Sequence, residues 1–283
     1  MNEGEIMKLK TALKFGMLGI AGGAAYATAP NRETARKARL RPYEIVRIAH
    51  RGYHRNDGDA PENSLPAFER AIALGFGVEL DVRLTKDGVA VVFHDETLDR
   101  VCGVPGRIED FAYEELKAFT LFSSAEHIPT FAEALALIDG KAPLMIEIKA
   151  EYDVFDICKA VMRELYRYHG EYCIQSFFPF VLKWFKDHEP HVLRGQLSMD
   201  FFDPEHGVDK PWPVKFISTN LLANRIGAPD FISYEFHCGE KLPLKLFRKL
   251  HGGKTAGWTI RSQEDLAFAD QYFDIIIFDS FLP

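Results

Sequence analysis

The chain has 283 residues, of which 47% are hydrophobic and 27% charged, with a formal net charge of -7. That leaves room for one large α/β domain with a sizeable core, and it excludes wholesale disorder and the basic footprint of a nucleic-acid binder. Cys102, Cys158, Cys173 and Cys238 form no CxxC pair and no regular spacing, so neither a disulfide framework nor a zinc site is indicated, and the compartment stays open.

Residues 1–44 form an N-terminal segment distinct from the rest. Its stretch FGMLGIAGGAAYATA, residues 15–29, carries no charge and follows Lys8, Lys10 and Lys14. It falls short of the roughly 20 residues that span a bilayer and is rich in Gly and Ala, so its transfer energy is weak. Three readings are open: a short membrane anchor, a cleaved signal, or a loosely packed helix. The basic flank NRETARKARLR gives no firm orientation. The chain is therefore expected to associate with a membrane through this segment, and otherwise to be cytoplasmic or secreted.

From residue 45 to 283 a single domain is expected. Short β-rich runs alternate there with helix-like stretches, the pattern of βαβ units and a largely parallel sheet. The strand candidates are EIVRIAH, GVELDVRL, VAVVFHD, APLMIEIK, YCIQSF, LRGQLSM, PDFISYEF, KTAGWTI and FDIIIFD. Helices are predicted at SLPAFERAIALG, with Ser64 as N-cap and Gly75 as terminator, and at TFAEALALI, DVFDICKAVMRELYRYH and SQEDLAFADQY. Nine strands are one too many for an eight-stranded parallel barrel. The link TKDG between the second and third runs is far too short for a parallel crossover, so these two form a hairpin and one of them is extra to the barrel. Folding about Lys86 and Asp87 puts Leu84 opposite Val89, Asp81 opposite Val92 and Glu79 opposite His94. In that register Glu79, Asp81, Val92 and His94 share one face, and Val78, Leu80, Val82, Val91 and Phe93 the other.

Two carboxylates at i and i+2 on a strand, Glu79 and Asp81, can converge on an oxygen-loving cation, although alone they fit solvent-facing residues on a half-exposed strand better. LMIEIKA adds weight, because Leu144, Ile146 and Ile148 face one way while Met145, Glu147 and Lys149 face the other. His50 and His94 each end an apolar run, at the carboxyl end of a strand, where α/β barrels carry their catalytic groups. The combination fits metal-assisted phosphoryl transfer. Arg51 and Lys149 would offset the carboxylate charge and meet phosphate oxygens, and two near-neutral imidazoles would divide the acid and base roles. His127, His169, His188, His191, His206, His237 and His251 read as surface or loop residues.

HRG, PEN, ELD, TKDG, HD and EIK in this order and spacing, with HIPTFAEAL, QSF, GWTI and FDIIIFDSFLP further on, resemble the glycerophosphodiester phosphodiesterases from about residue 45 to the C-terminus. The resemblance implies a TIM-type (β/α)8 barrel, with a short hairpin-like link between its second and third strand segments. It implies one divalent cation, Mg2+ or Ca2+, on Glu79, Asp81 and Glu147, and His50 and His94 as the acid/base pair. It further implies Arg51 and Lys149 on the phosphate, Trp258 walling the cleft, and Glu62 and Asn63 as support. The implied substrate is a small glycerophosphodiester, hydrolysed to glycerol 3-phosphate and an alcohol. Departures are a longer loop, RGYHRNDGDAPEN, and Arg261 where the family usually has asparagine; Phe177, Phe178, Phe180 and Trp184 read as packing or as an apolar surface for a lipid leaving group. Two alternatives stand beside this expectation, a lysophospholipase D-like lipid phosphodiesterase and a catalytically silent, membrane-tethered barrel that binds anions. The residues do not fix oligomeric state.

Overall fold

The computed structural model describes residues 22, 23, 25–31, 34–150 and 153–283. Most of the apolar stretch 15–29 lies outside these residues. Among the described residues no helix is long and apolar enough to cross a membrane.

All nine predicted strands are present. They are β1 (Ile48–Ala49), β2 (Gly77–Leu84), β3 (Ala90–Val92), β4 (Leu144–Ile148), β5 (Tyr172–Ser176), β6 (Leu193–Ser198), β7 (Phe231–Glu235), β8 (Lys254–Ile260) and β9 (Ile275–Phe278). Eight run parallel and close into a barrel, since β1 pairs with both β2 and β9. The surplus strand is β3, which pairs antiparallel with β2. The four predicted helices occur at Leu65–Ala73, Phe131–Ile138, Val154–Leu165 and Gln263–Ala269. All four begin on the caps their sequences offer. Ser64 Oγ accepts from the Ala67 N–H, Asp153 Oδ1 from the Asp156 N–H and Ser262 Oγ from the Asp265 N–H, and Thr130 and Glu133 form a reciprocal capping box. Further helices at Pro179–His188, Trp212–Thr219 and Leu242–His251 lie outside the sequence-based expectation.

Strand alternation divides the apolar residues into two layers. Val78, Leu80, Val82, Leu144, Ile146 and Ile148 belong to the large cluster packed under the helices. Ile48, Met145, Cys173, Leu193, Phe231, Ala256, Ile275 and Ile277 fill the barrel interior together with Leu40 and Tyr43. Tyr43 lies on the short helix Arg41–Glu44, so residues before 45 plug the amino-terminal end of the barrel. Arg36 strengthens that closure by pairing with the buried Asp230 just ahead of β7 at 2.6 Å.

The hairpin register differs by one residue from the expected one. Val82 pairs with Val92 and Leu84 with Ala90. The turn has three residues, Lys86, Asp87 and Gly88, closed by the Thr85 N–H on the Val89 carbonyl, and Gly88 takes φ 78°. A left-handed third turn residue adds one position to the loop and slides the partner strand accordingly. Val92 therefore joins Val82 in the large cluster, while Val91 and Phe93 face a separate core with Leu98, Val101, Ile108, Leu116, Leu121 and Ile128. That second core belongs to the long excursion between β3 and the helix at Phe131.

Candidate active site

The chain leaves β1 through a sharp bend. Arg51 and Gly52 both have left-handed backbones, with φ 57° and 80°. A Cβ on Gly52 would lie 2.8 Å from the Ala67 carbonyl carbon, so only glycine lets this bend sit against the helix Leu65–Ala73. The bend aims the Arg51 N–H at Glu79 Oε2, 3.0 Å away. Asn63, also left-handed at φ 58°, donates from Nδ2 to Asp81 Oδ2 at 2.9 Å and accepts from the Asp81 N–H.

Glu79, Asp81 and Glu147 converge because Asp81 and Glu147 are register partners across β2 and β4 and Glu79 lies two residues before Asp81 on the same face. All three are buried, and each offers an oxygen within 4.8 Å of the others. Lys149 Nζ lies 2.6 Å from Glu147 Oε1 and 3.1 Å from Asp81 Oδ1, and Arg51 Nε lies 3.4 Å from Asp81 Oδ2. Burial and the charges of Asp81 and Glu147 push the Glu79 carboxyl well above the usual range. Burial would also raise Asp81, but Lys149, His94 and Arg51 outweigh it and hold that carboxyl well below its ordinary value. The set fits a hard divalent cation: among the described residues the buried Glu79 Oε1 has no hydrogen-bond donor, and Asp81 Oδ1 has only the Lys149 ammonium beside it.

The two histidines flank this cluster. His94 Nδ1 lies 2.7 Å from Asp95 Oδ1. His50 Nδ1 lies 3.7 Å from Asp279 Oδ2, and the other oxygen of Asp279 is 2.9 Å from His54 Nε2. Burial, followed by the charge of Lys149, lowers His94 to about 4. Burial and Arg51 lower His50 as well. A cavity of about 300 Å³ opens onto these groups, lined among others by His50, Arg51, Glu79, His94, Glu147 and Lys149. Phe177 and Trp258 form part of its wall, their rings edge to face at 5.7 Å. A larger depression, about 710 Å³, lies beside the hairpin turn and includes Lys149 but none of the three carboxylates.

Known proteins carry the same arrangement of chain. Residues 50–281 match the Glycerophosphoryl diester phosphodiesterase family. The chain belongs to that family. A glycerophosphodiester phosphodiesterase of Caldanaerobacter subterraneus is 34% identical over 232 residues, covering 77% of this chain and 87% of that one. A phosphodiesterase of Oleispira antarctica, solved with the product sn-glycerol-3-phosphate, superposes with a TM-score of 0.66 at 25% identity, over 83% of this chain and 92% of that one. The glycerophosphodiester phosphodiesterase of Thermotoga maritima gives 0.63 at 26% identity, over 82% and 94%. The enzyme class is thus that of the glycerophosphodiester phosphodiesterases.

In this phosphodiesterase the site candidates named from the sequence lie together. Glu62 and Asn63 stand behind Arg51 and Asp81, with Glu62 Oε1 2.7 Å from Arg51 Nη1. His94 arrives by a different route from the one its hairpin register implied. Asp81 and not Glu79 is its near neighbour on β2: the Phe93 N–H bonds to the Asp81 carbonyl, and Arg83 Nε donates to the His94 carbonyl. Phe177 lines the cavity, whereas Trp184 stacks on His188 at 4.6 Å, away from it.

Several residues at the site escaped the sequence-based reading. His206 and His237, which read from the sequence as surface or loop residues, line the cavity with Glu235, to which each points an imidazole nitrogen at 3.5 Å. Glu235 ends β7, so the strand-end rule that picks out His50 and His94 would have found it. Asp279, just beyond β9, was open to the same rule. Arg100 and His54 carry no local signal and reach the site only through the tertiary fold.

Proposed function

We propose that this phosphodiesterase hydrolyses glycerophosphodiesters to glycerol 3-phosphate and an alcohol, with Glu79, Asp81 and Glu147 as ligands of one divalent cation, Mg2+ or Ca2+. What carries the reading is a single cavity that brings His50, His94, Arg51 and Lys149 together with Glu79 and Glu147 of the buried carboxylate cluster. When bound, the metal supplies Lewis-acid polarisation of a phosphoryl oxygen and neutralises charge on the carboxylates.

The chain's own groups do the rest. Three carboxylates against Arg51 and Lys149 leave one negative charge, which a divalent cation turns to one positive, matching the single negative charge of a phosphodiester. Arg51 presents a planar fork and Lys149 a point charge to the non-bridging oxygens. Of His50 and His94, one takes the proton of the attacking group and the other protonates the leaving alkoxide. Attack by water gives glycerol 3-phosphate directly, whereas attack by the substrate's own glycerol 2-hydroxyl gives a cyclic phosphate, whose P–O bond to the 2-oxygen water then breaks with the two histidine roles exchanged. Both rings have pKa values lowered by burial, so both are neutral near pH 7 before substrate binds, and the phosphate charge favours the protonated form of one. Trp258 Nε1, in the cavity wall, is a buried donor with no partner among the described residues and is available to a substrate oxygen.

A second reading, activity on lysophospholipids, draws on an apolar run beside the mouth. From Trp258 and Phe177 the rings continue to Phe201, and the adjoining Phe202, Trp212 and Phe216 are exposed. The apolar segment 15–29 is proposed to add membrane contact, which flotation with liposomes of full-length and residue-30-onward chains tests directly. A panel of glycerophosphocholine, glycerophosphoethanolamine, glycerophosphoglycerol and lysophospholipids, with and without EDTA, on wild type and His50→Ala tests the whole. Turnover that survives both EDTA and the substitution refutes the mechanism, and preference for acylated substrates selects the second reading.

A further inference from the structure

We propose that Arg100 is a positioning residue for the reaction: one guanidinium that fixes His94 through Asp95 and Arg51 through Glu62. The proposal rests on the roles given above to His94 and Arg51.

Arg100 uses its planar fork on two carboxylates at once. Its Nε and Nη2 donate to Asp95 at 2.6 and 2.9 Å, and its Nη1 and Nη2 donate to Glu62 at 2.9 and 2.7 Å. Each carboxylate then passes the constraint inward. Asp95 Oδ1 is 2.7 Å from His94 Nδ1, which fixes the proton there and leaves Nε2 as the nitrogen free to exchange one. Glu62 Oε1 is 2.7 Å from Arg51 Nη1. Burial would raise the Glu62 carboxyl, but Arg100 and Arg51 outweigh it and bring it down to about 2, so the clamp stays ionised at working pH.

The seat of Arg100 explains what the excursion between β3 and the helix at Phe131 contributes. Arg100 sits on the short helix Asp99–Cys102, beside Val101, which is buried in the excursion's own apolar core. The ring of Phe122 lies 5.8 Å beneath its guanidinium, and the Phe122 N–H bonds to the Val101 carbonyl at 2.7 Å. The excursion is thereby tied to the catalytic mouth at a point separate from its strand connections. Lysine cannot replace this, since one ammonium cannot form paired parallel bonds to two carboxylates.

The test compares wild type with Arg100→Lys, Arg100→Ala, Asp95→Asn and Glu62→Gln, using glycerophosphocholine turnover and calorimetric affinity for sn-glycerol 3-phosphate. Arg100→Lys is expected to lower kcat and raise KM, together costing roughly 10- to 100-fold in kcat/KM. Asp95→Asn should act mainly on kcat and Glu62→Gln mainly on KM, so the two halves of the clamp separate. Guanidinium ion should restore part of the activity of Arg100→Ala, whose side chain leaves an opening to solvent, while methylammonium should not. Wild-type kcat and KM in folded Arg100→Lys overturn the proposal, as does a loss of activity that tracks only the loss of folded protein. A wild type that turns over no phosphodiester refutes the hydrolytic reading instead. In that event the Arg51 half is judged by product affinity alone, where an unchanged value in Arg100→Lys overturns it.

Discussion

Asp81 and Glu147 are register partners on adjacent parallel strands, and this pairing brings the two buried carboxylates together with Lys149 between them. Without a cation the cluster carries like charges in a low-dielectric site, which is unfavourable unless one carboxyl takes up a proton. Glu79, raised by burial and by its two neighbours, is that group.

Glu79→Gln should therefore stabilise the EDTA-treated protein, by on the order of 1 kcal/mol, while weakening cation binding at least about tenfold. Glu79 holds its proton more tightly folded than unfolded, so its penalty is absent at low pH and grows as pH rises through its raised folded value. Urea denaturation in EDTA from pH 4 to 8 should show the gap between variant and wild type widening with pH. Calorimetry with Mg2+, Ca2+ and Mn2+ reads the affinity, and a variant that binds as wild type does would remove Glu79 from the ligand set.

His94 gives the opposite slope. Its folded value of about 4 lies below the ordinary 6.5, so the unfolded chain takes up the proton first, and stability is lost as pH falls between those values. In metal-free protein at pH 6 the ring should be neutral by nitrogen NMR. Lys149→Met, which removes the leading charge acting on that ring after burial, should move its midpoint upward. A midpoint near 6.5 in the wild type would contradict the burial seen at the site.

Gly52→Ala tests the bend that aims Arg51. The new methyl meets the Ala67 backbone and the residue must keep φ 80°, so a loss of about 1–3 kcal/mol is expected in denaturant melts. kcat/KM should fall as well, since Arg51 and the Glu79 contact shift together. Full activity with full stability would mean that the loop accommodates the methyl without moving Arg51.

The residues just before 45 contribute to the barrel. Leu40 and Tyr43 are fully buried in its interior, and Arg36 holds Asp230 through two bonds at 2.6 and 2.7 Å. Arg36→Ala leaves the Asp230 charge buried without its partner and should cost about 3–5 kcal/mol. A chain starting at residue 45 should be less stable still, with a lower urea midpoint or insoluble expression.

Local periodicity was enough to locate every strand, because alternation over a few residues and the Gly and cap residues at their ends are properties of short segments. The same alternation separated Met145 and Glu147 from Leu144 and Ile146, and the strand-end position singled out His50 and His94. The short TKDG link likewise required an antiparallel extra strand. Register was another matter. Whether the turn held two residues or three depended on Gly88 taking a left-handed backbone, and TKDG is compatible with both.

The sequence by itself determined the nine strands, the hairpin, the strand carboxylates and the two strand-end histidines, since each is announced by residues close along the chain; the barrel was implied by the resemblance of its motifs. Only the tertiary structure decided what holds them. Asp279 meets His50 and His54 because barrel closure sets β9 beside β1. Arg100 meets Glu62 because the excursion folds its own core back over the mouth. Contacts of that kind depend on where distant segments end up after packing, and no short window of sequence encodes them.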